Sequence, residues 1–451
     1  MTSVRLPSRA LLPFAAGSVG MGIWVTVPGI FLLYFMTDIL AVPPAVAGLA
    51  LLVPNIADIV LHPWAGRLTD ADLAGTGHRR RLMFAGCTVI LAFVALFAVP
   101  PGLHGVPAAV WVAVALAAGN LLYSFYQVSY LATPADLGIG YHERTRLMGY
   151  RSVVIMVGVL VAGVVAPLLA GDAPGVGDYT RMALLLGAVM LAAMLAGIAG
   201  VARLNRAAPG TPPAPGHRGG LLVALRDRQF RGLTGSYLTV AVTMNMVLAA
   251  MPYFAEYELG RQGLTPVLVA AFMVPAVLAT PGWVLVARRI GKQRGLLAGQ
   301  AAFVAGSLVL ALGAAAGLPV VMGAVAVLGV GFAAMQLLPL SMVPDVIAAS
   351  GPGGTARAGS YTGLWTAAEA TGGALGPYVF SAVLALGGFA ASAAGEQVTQ
   401  SPSALAAVRY GFTLLPAVLM TLAIMLQRRY TLDNTVHAEE RRAVVGEGAL
   451  R

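Results

Sequence analysis

The stretch Asn55-Ile56-Ala57-Asp58-Ile59-Val60-Leu61-His62-Pro63-Trp64-Ala65-Gly66-Arg67-Leu68-Thr69-Asp70 decides how this chain is read. It begins inside a long apolar run that can only be a membrane helix, yet it carries an amide, an acid and an imidazole. Asn55, Asp58 and His62 are spaced i, i+3, i+7, so they share one helical face. An ionisable group within a span is costly and as a rule faces a bundle interior or a water-filled path. Beyond it, Gly66-Arg67-Leu68-Thr69-Asp70 leaves the membrane toward a basic loop, His78-Arg79-Arg80-Arg81. The rest of the chain reads as the scaffold around that face.

Working outward, the 451 residues are 58% hydrophobic and only 10% charged, whereas a soluble chain is roughly 25% charged. Most of the chain therefore lies in lipid or against helices that do. Glycine and proline, 55 and 28 residues, mark close crossings and breaks in such helices. The single cysteine, Cys87, sits in an apolar run, which excludes a disulfide and a cysteine-based metal site. The net charge of +10 is carried by arginines in loops between spans, a topology signal rather than a nucleic-acid footprint. There is no phosphate-binding glycine loop, Walker lysine or zinc spacing. No cofactor, no metal and no enzymatic activity are expected. No cleavable signal is expected either, because the first apolar run is long enough to span.

Twelve runs qualify as spans: 10–37, 44–69, 82–100, 106–136, 146–170, 180–202, 229–257, 264–288, 294–315, 319–347, 359–388 and 404–427. The fold class expected is an all-α integral membrane protein with twelve transmembrane helices in two pseudo-symmetric six-helix bundles. Residues 1–202 form the first bundle, 203–228 a linker rich in proline and glycine, 229–428 the second bundle and 429–451 a charged tail. Arginines concentrate in loops 2–3, 4–5 and 8–9 and in the central linker. The odd-numbered loops carry Arg181, Arg261 and Arg409. The positive-inside rule then puts both termini in the cytoplasm of a multi-pass protein in the cell membrane. A basic turn follows the second span of each half, Arg79-Arg80-Arg81 and Arg288-Arg289-Ile290-Gly291-Lys292. Two such halves with a site between them is the plan of many secondary transporters.

Asp58 and Glu369 are the acids deepest in the spans. Each is about ten residues from the cytoplasmic end, roughly 15 Å at 1.5 Å per residue. Two acids at one depth, from opposite halves, suit a central cavity and proton exchange; each also fits simple neutralisation by a neighbour. His62, one turn beyond Asp58, reads equally as a proton relay or as a cap on a kink at Pro63. Arg151 opens span 5, where pairing with an acid or a solute and snorkelling to the surface are both open to it. Candidates for substrate contact are Asn55, Trp24, Tyr34, Tyr126, Gln127, Asn245 and Trp365. Asp70, Arg79, Asp136, Arg144 and Asp345 lie at cytoplasmic ends, where ion pairs between loops can hold one conformation and release it in the other.

Several of these stretches resemble the glycoside–pentoside–hexuronide:cation symporters, the melibiose-permease-like branch of the major facilitator superfamily. Asn55-Ile56-Ala57-Asp58-Ile59-Val60-Leu61-His62-Pro63 resembles the span-2 motif, and Tyr141-His142-Glu143-Arg144-Thr145-Arg146-Leu147 with Tyr150-Arg151 the loop 4–5 signature. Phe35-Met36-Thr37-Asp38-Ile39-Leu40 resembles the end of span 1. Arg357-Ala358-Gly359-Ser360-Tyr361-Thr362-Gly363-Leu364-Trp365-Thr366 and Gly372-Gly373-Ala374-Leu375-Gly376-Pro377 resemble span 11. The resemblance implies two bundles that alternate access to a central site. It also exposes departures. The family's second span-2 aspartate is His62 here, the span-1 acid falls at Gly22 and the span-4 acid near Gln127. The sugar-stacking tryptophan falls near Leu131 and the span-11 lysine at Ala370, beside Glu369; the span-5 arginine is kept as Arg151.

One carboxylate beside an imidazole is a poor start for sodium and suits protons better. The function expected is secondary transport of a small organic solute, with a sugar, glycoside or uronide as the family default; the departures point away from a melibiose-like sugar and to coupling to protons rather than sodium, or to uncoupled transport. The alternatives are export of a hydrophobic, lipid-like or natural-product compound, since related carriers move lipid-like substrates, and a membrane sensor that transports nothing. The expected partners are the solute and the lipid bilayer, with no nucleic acid, and the expected state is a monomer.

Overall fold

Each interval read as a span is helical in the computed structural model, for a reason set by the solvent: in lipid every backbone N–H and C=O has to be satisfied within its own segment. The structure describes residues 6–76, 80–137, 139, 141–171, 175–207, 227–349, 358–394 and 398–430. Most of the linker and all but the start of the tail lie outside them. The first half contains α1 (Ser8–Tyr34), α2 (Pro44–Thr76), α3 (Arg80–Gly86), α4 (Val89–Phe97), α5 (Val106–Asp136), α6 (Tyr141–Ala170) and α7 (Val176–Ala207). The second contains α8 (Arg228–Tyr253), α9 (Thr265–Ile290), α10 (Lys292–Leu310), α11 (Leu318–Ala349), α12 (Ala358–Leu386), α13 (Pro402–Phe412) and α14 (Leu414–Gln427). No strand occurs among the described residues beyond one isolated bridge, Leu40 to Ala393.

Two spans expected as single helices are broken, and each break has a local cause. Span 3 divides into α3 and α4 at Cys87-Thr88. Gly86, just before the break, lies where a Cβ would come 2.6 Å from the Tyr126 nitrogen, so α3 is pressed onto the α5 backbone there. Span 12 divides at Thr413, whose hydroxyl donates back to the Arg409 carbonyl at 2.7 Å, a bond that bends helices. Conversely α1 and α8 run on past their α-helical ends into π-helical turns, Phe35–Ile39 and Phe254–Glu258.

Contacts group the described chain into two units. One comprises Met1–Pro215, Leu248–Ala270 and Pro377–Val408; the other comprises Gly216–Val247, Ala271–Gly376 and Arg409–Arg451. The grouping does not follow the linker: the odd-loop ends of α8 and α12, and the starts of α9 and α13, belong with the first half.

In the first unit α1 is central, packed on α6 and α7, while α2 lies along α5 and α4 bridges α5 and α7. Its crossing with α7 is close because Gly17 and Gly197 meet. A Cβ on Gly197 would lie 2.8 Å from the Gly17 Cα. In the second unit α10 packs on α11 and α14. Asp227 caps α8, accepting from the backbone N–H groups of Gln229 at 2.8 Å and Phe230 at 3.2 Å. The surface carries the inverse of a soluble pattern: Leu278 is 72% exposed and Leu91 71%, both on helices, where lipid rather than water meets them.

Candidate functional site

The face predicted from the opening stretch exists in the first unit. Asn55 and Asp58, one turn apart on half-buried α2 positions, both meet α5. The Asn120 amide donates to Asn55 Oδ1 at 3.1 Å, and Ser124 Oγ donates to Asp58 Oδ1 at 3.2 Å. Asn120 and Ser124 are themselves spaced i, i+4, so a polar stripe on α5 answers the stripe on α2. That second stripe is legible in the sequence as two polar groups at helical spacing inside an apolar run. The side chain of His62 lies outside the described residues.

Arg151 of α6 stands over the ring of Tyr130, its guanidinium carbon 6.0 Å from the centroid. Its Nε is buried and has no hydrogen-bond partner among the described residues, and no ion pair involves it there. Tyr130 is a rigid platform. It stacks on Phe14 at 4.4 Å, its hydroxyl donates to the Phe14 carbonyl at 2.5 Å, and Ser18 Oγ lies 3.0 Å away. Tyr130 and Ser18 were not singled out in the sequence, where nothing distinguishes them from other residues of buried helices. Tyr130→Phe keeps the stacked ring and removes the hydroxyl's bonds to the Phe14 carbonyl and Ser18 of α1. It is expected to cost about 1–2 kcal/mol of stability, read as a lower melting temperature in detergent.

Trp24 and Tyr126 are packing residues. Trp24 is 5% exposed, stacked on Tyr123 at 5.8 Å and seated in the space Gly119 leaves open. Tyr126 is fully buried and donates to the Met194 carbonyl at 3.1 Å, bridging α5 to α7 beside the Gly17–Gly197 crossing. Gln127 is half-buried on α5. Tyr34 lies at the odd-loop end of α1, where its hydroxyl donates to Glu256.

In the second unit Trp365 of α12 is stacked on Tyr237 of α8, with centroids 3.9 Å apart, and its indole N–H is buried without a partner among the described residues. One turn on, Glu369 is exposed and accepts from the Tyr237 hydroxyl. Tyr237 was missed in the sequence; it lies two turns before Asn245, on the same face of α8. Asn245 is half-buried and returns its amide to the Ala241 carbonyl at 2.9 Å, beneath Gly376 of α12. Asp58 thus belongs to the first unit, and Glu369 to the second.

Of the residues expected to gate the cytoplasmic ends, Asp345 is paired with Lys292. Lys292 Nζ lies 2.5 Å from its Oδ2 and also donates to the Ser341 carbonyl at 3.0 Å. Both residues are in the second half, so this pair ties α10 to α11 rather than one half to the other. Arg79 and the side chains of Asp70, Asp136 and Arg144 lie outside the described residues. Among the described residues no group of three or more His, Cys, Asp or Glu is placed to hold a metal ion.

Comparison with known proteins agrees with this architecture. The family model described as "MFS/sugar transport protein" matches residues 13–434. An uncharacterized symporter of Synechocystis is 24% identical over 98% of this chain and 97% of its own length. The sphingosine-1-phosphate transporter MFSD2B of Mus musculus is 26% identical over 76% of this chain and 73% of its own. A glucuronide carrier protein homolog of Escherichia coli is 23% identical over 95% and 94%. Among solved structures, a bacterial homolog of the human lysosomal transporter Spinster superposes with a TM-score of 0.69 at 15% identity, covering 94% of this chain and 98% of that one. Its fold alone is informative at that identity. With apolar helices throughout, ionisable groups inside them and a family match over nearly the whole length, the chain belongs to the MFS/sugar transport protein family and is a multi-pass membrane transporter of a small molecule, not an enzyme.

Proposed function

We propose that this chain is a proton-coupled secondary transporter of a small organic anion, with uronide-type glycosides as the first solute class to test. It works as a monomer by alternating access in the cell membrane, with both termini in the cytoplasm, needs no cofactor beyond the proton gradient and binds no nucleic acid. The observation that carries the reading is Arg151. A guanidinium in a span, resting on an aromatic ring with no described carboxylate, is a cation kept for something that arrives. The E. coli relative is named for a glucuronide and the mouse relative for a phosphate, and one such cation suits either anion.

Asp58 is the coupling residue in this reading. Its described site holds the Ser124 hydroxyl, which donates to Asp58 Oδ1, with the Asn55–Asn120 amide pair one turn away. Sodium, which wants several oxygen ligands at once, is poorly served by it. Proton uptake into proteoliposomes, recorded as uronides, organic phosphates and neutral glycosides are added in turn, tests the whole reading. The parent protein is expected to show a pH change with an anionic solute, independent of sodium. Asp58→Asn is expected to lose the pH change and active accumulation while still exchanging solute down its gradient. Accumulation by Asp58→Asn equal to the parent would remove Asp58 from coupling.

A second reading is export of an amphipathic compound. It is supported by the apolar residues Gly22 and Leu131 where the resembled symporters carry polar or aromatic ones, and by the mouse relative's name. Inverting the imposed proton gradient separates it from uptake.

A further inference from the structure

The ends of α1 and α8 at the odd-numbered loops repeat one another. Tyr34-Phe35-Met36-Thr37-Asp38-Ile39-Leu40 and Tyr253-Phe254-Ala255-Glu256-Tyr257-Glu258-Leu259 share a Tyr-Phe pair, an acid and a closing leucine. Both wind into π-helical turns, closed by Leu40 N–H to the Phe35 carbonyl at 3.2 Å and by Leu259 N–H to the Phe254 carbonyl at 3.1 Å. Such turns are uncommon and cluster at functional sites. Both lie in the first unit.

The two ends exchange hydrogen bonds reciprocally. Tyr34 of the first half donates to the carboxylate of Glu256 of the second. Tyr257 of the second half donates to the carboxylate of Asp38 of the first. Between them the Thr37 hydroxyl lies 2.6 Å from that of Tyr253, and it also donates to Asp38 Oδ2 at 2.5 Å. The Tyr34 and Tyr253 rings meet edge to face at 5.3 Å. Asp38 is 6% exposed.

A second strand of contacts comes from loop 11–12. The wide turn of α1 leaves carbonyls free to accept from it: Ser392 N–H donates to the Thr37 carbonyl at 2.9 Å and Ala394 N–H to the Ile39 carbonyl at 3.1 Å. Ala41 N–H donates in return to the Ser392 carbonyl at 2.9 Å.

We propose that Asp38 and Glu256 are the paired gate of the odd-loop side, each acid held shut by a tyrosine of the opposite half. The proposal rests on the transport reading only in supposing that this side opens. Every gating residue suggested by the sequence was at the other side. Reciprocity couples the two pairs: parting α1 from α8 breaks the Tyr34–Glu256 and Tyr257–Asp38 bonds together, while the Thr37 hydroxyl stays with Asp38. Tyr34 also borders a cavity of 220 Å³ lined further by Phe31, Tyr179, Pro252, Thr265 and Pro266.

The test needs no solute. Cys87, the single native cysteine, is replaced by serine, and Val42→Cys, at a fully buried position in the loop that follows the α1 turn, reports opening to a water-soluble maleimide. In lipid nanodiscs the Tyr34→Phe/Tyr257→Phe double variant keeps both rings and loses both donors. It is expected to label at least about tenfold faster than the parent, the size of one charge-assisted hydrogen bond present only in the closed state. Ala183→Cys, fully buried in the first-half core, is the control and is expected to stay unlabelled. An unchanged Val42→Cys rate in the double variant overturns the proposal. So does labelling of Ala183→Cys along with it, because the hydroxyls would then hold the fold rather than a gate. Failure of the anion reading would leave these rates untouched, so the two outcomes are separable.

Discussion

Replacing Arg151 with glutamine is expected to abolish measurable binding of an anionic solute while leaving the protein folded. The guanidinium is half-buried, and its Nε is already out of water. A carboxylate or phosphate that meets it there gains a charge-assisted, bidentate contact, worth about 3 kcal/mol, or roughly 150-fold in affinity. The fold does not need the charge, because Tyr130 below it is held by Phe14 and Ser18. Arg151→Lys is expected to recover little, since an ammonium neither lies flat on the ring nor presents two parallel donors. Titration of the purified variants with a uronide and with its neutral glycoside checks this. The parent should prefer the uronide, and Arg151→Gln should lose the preference. Equal affinity of parent and Arg151→Gln for the uronide would place the anion elsewhere.

The second large effect is on folding. Gly200→Val is expected to prevent recovery of monodisperse protein. A Cβ at Gly200 of α7 would stand 2.2 Å from the Phe14 nitrogen, 2.5 Å from its Cα and 2.7 Å from the Pro13 carbonyl carbon. Those are backbone atoms of α1, the central helix of the unit, and they cannot step aside as a side chain would. Forcing them apart costs more than the 1–3 kcal/mol typical of an extra methylene in a core, at roughly 5 kcal/mol or beyond. Gly323→Ala, in α11 with nothing within 4 Å of its would-be Cβ, is the matched control. It should purify like the parent or slightly better, because alanine favours helix by up to about 1 kcal/mol. Size-exclusion profiles and melting temperatures of the two variants decide it.

These effects sit at different distances from the sequence. Arg151 and Asp58 were visible as ionisable groups in apolar runs, a signal that survives any rearrangement of the helices, because lipid penalises them wherever they face. The helix intervals were visible for the same reason, and so was the shared face of Asn55 and Asp58, since helical spacing alone sets it. Gly200 looked like any of the 55 glycines; that one of them meets the backbone of Phe14 is known only when α1 and α7 are brought together. Trp24 and Tyr126 had the chemistry of solute contacts and turned out to fill crossings, because burial of an aromatic ring depends on its neighbours and not on its type.

The reciprocal pairs at the odd-loop side lie at the far end of this range. Tyr34 and Glu256 are 222 residues apart, and Asp38 and Tyr257 are 219 apart. Their local stretches rhyme, but no local rule makes the tyrosine of one half serve the acid of the other. The order of residues alone dictates that this chain crosses a membrane many times, in two related halves, with a cation and acids inside. A bilayer solvent dictates those features span by span. Which polar groups meet, which rings are consumed in crossings, and that the ends of α1 and α8 close on each other were decided only by tertiary structure. Those contacts exist between helices, and hydrogen bonds and van der Waals contact act over a few ångströms that no linear spacing encodes.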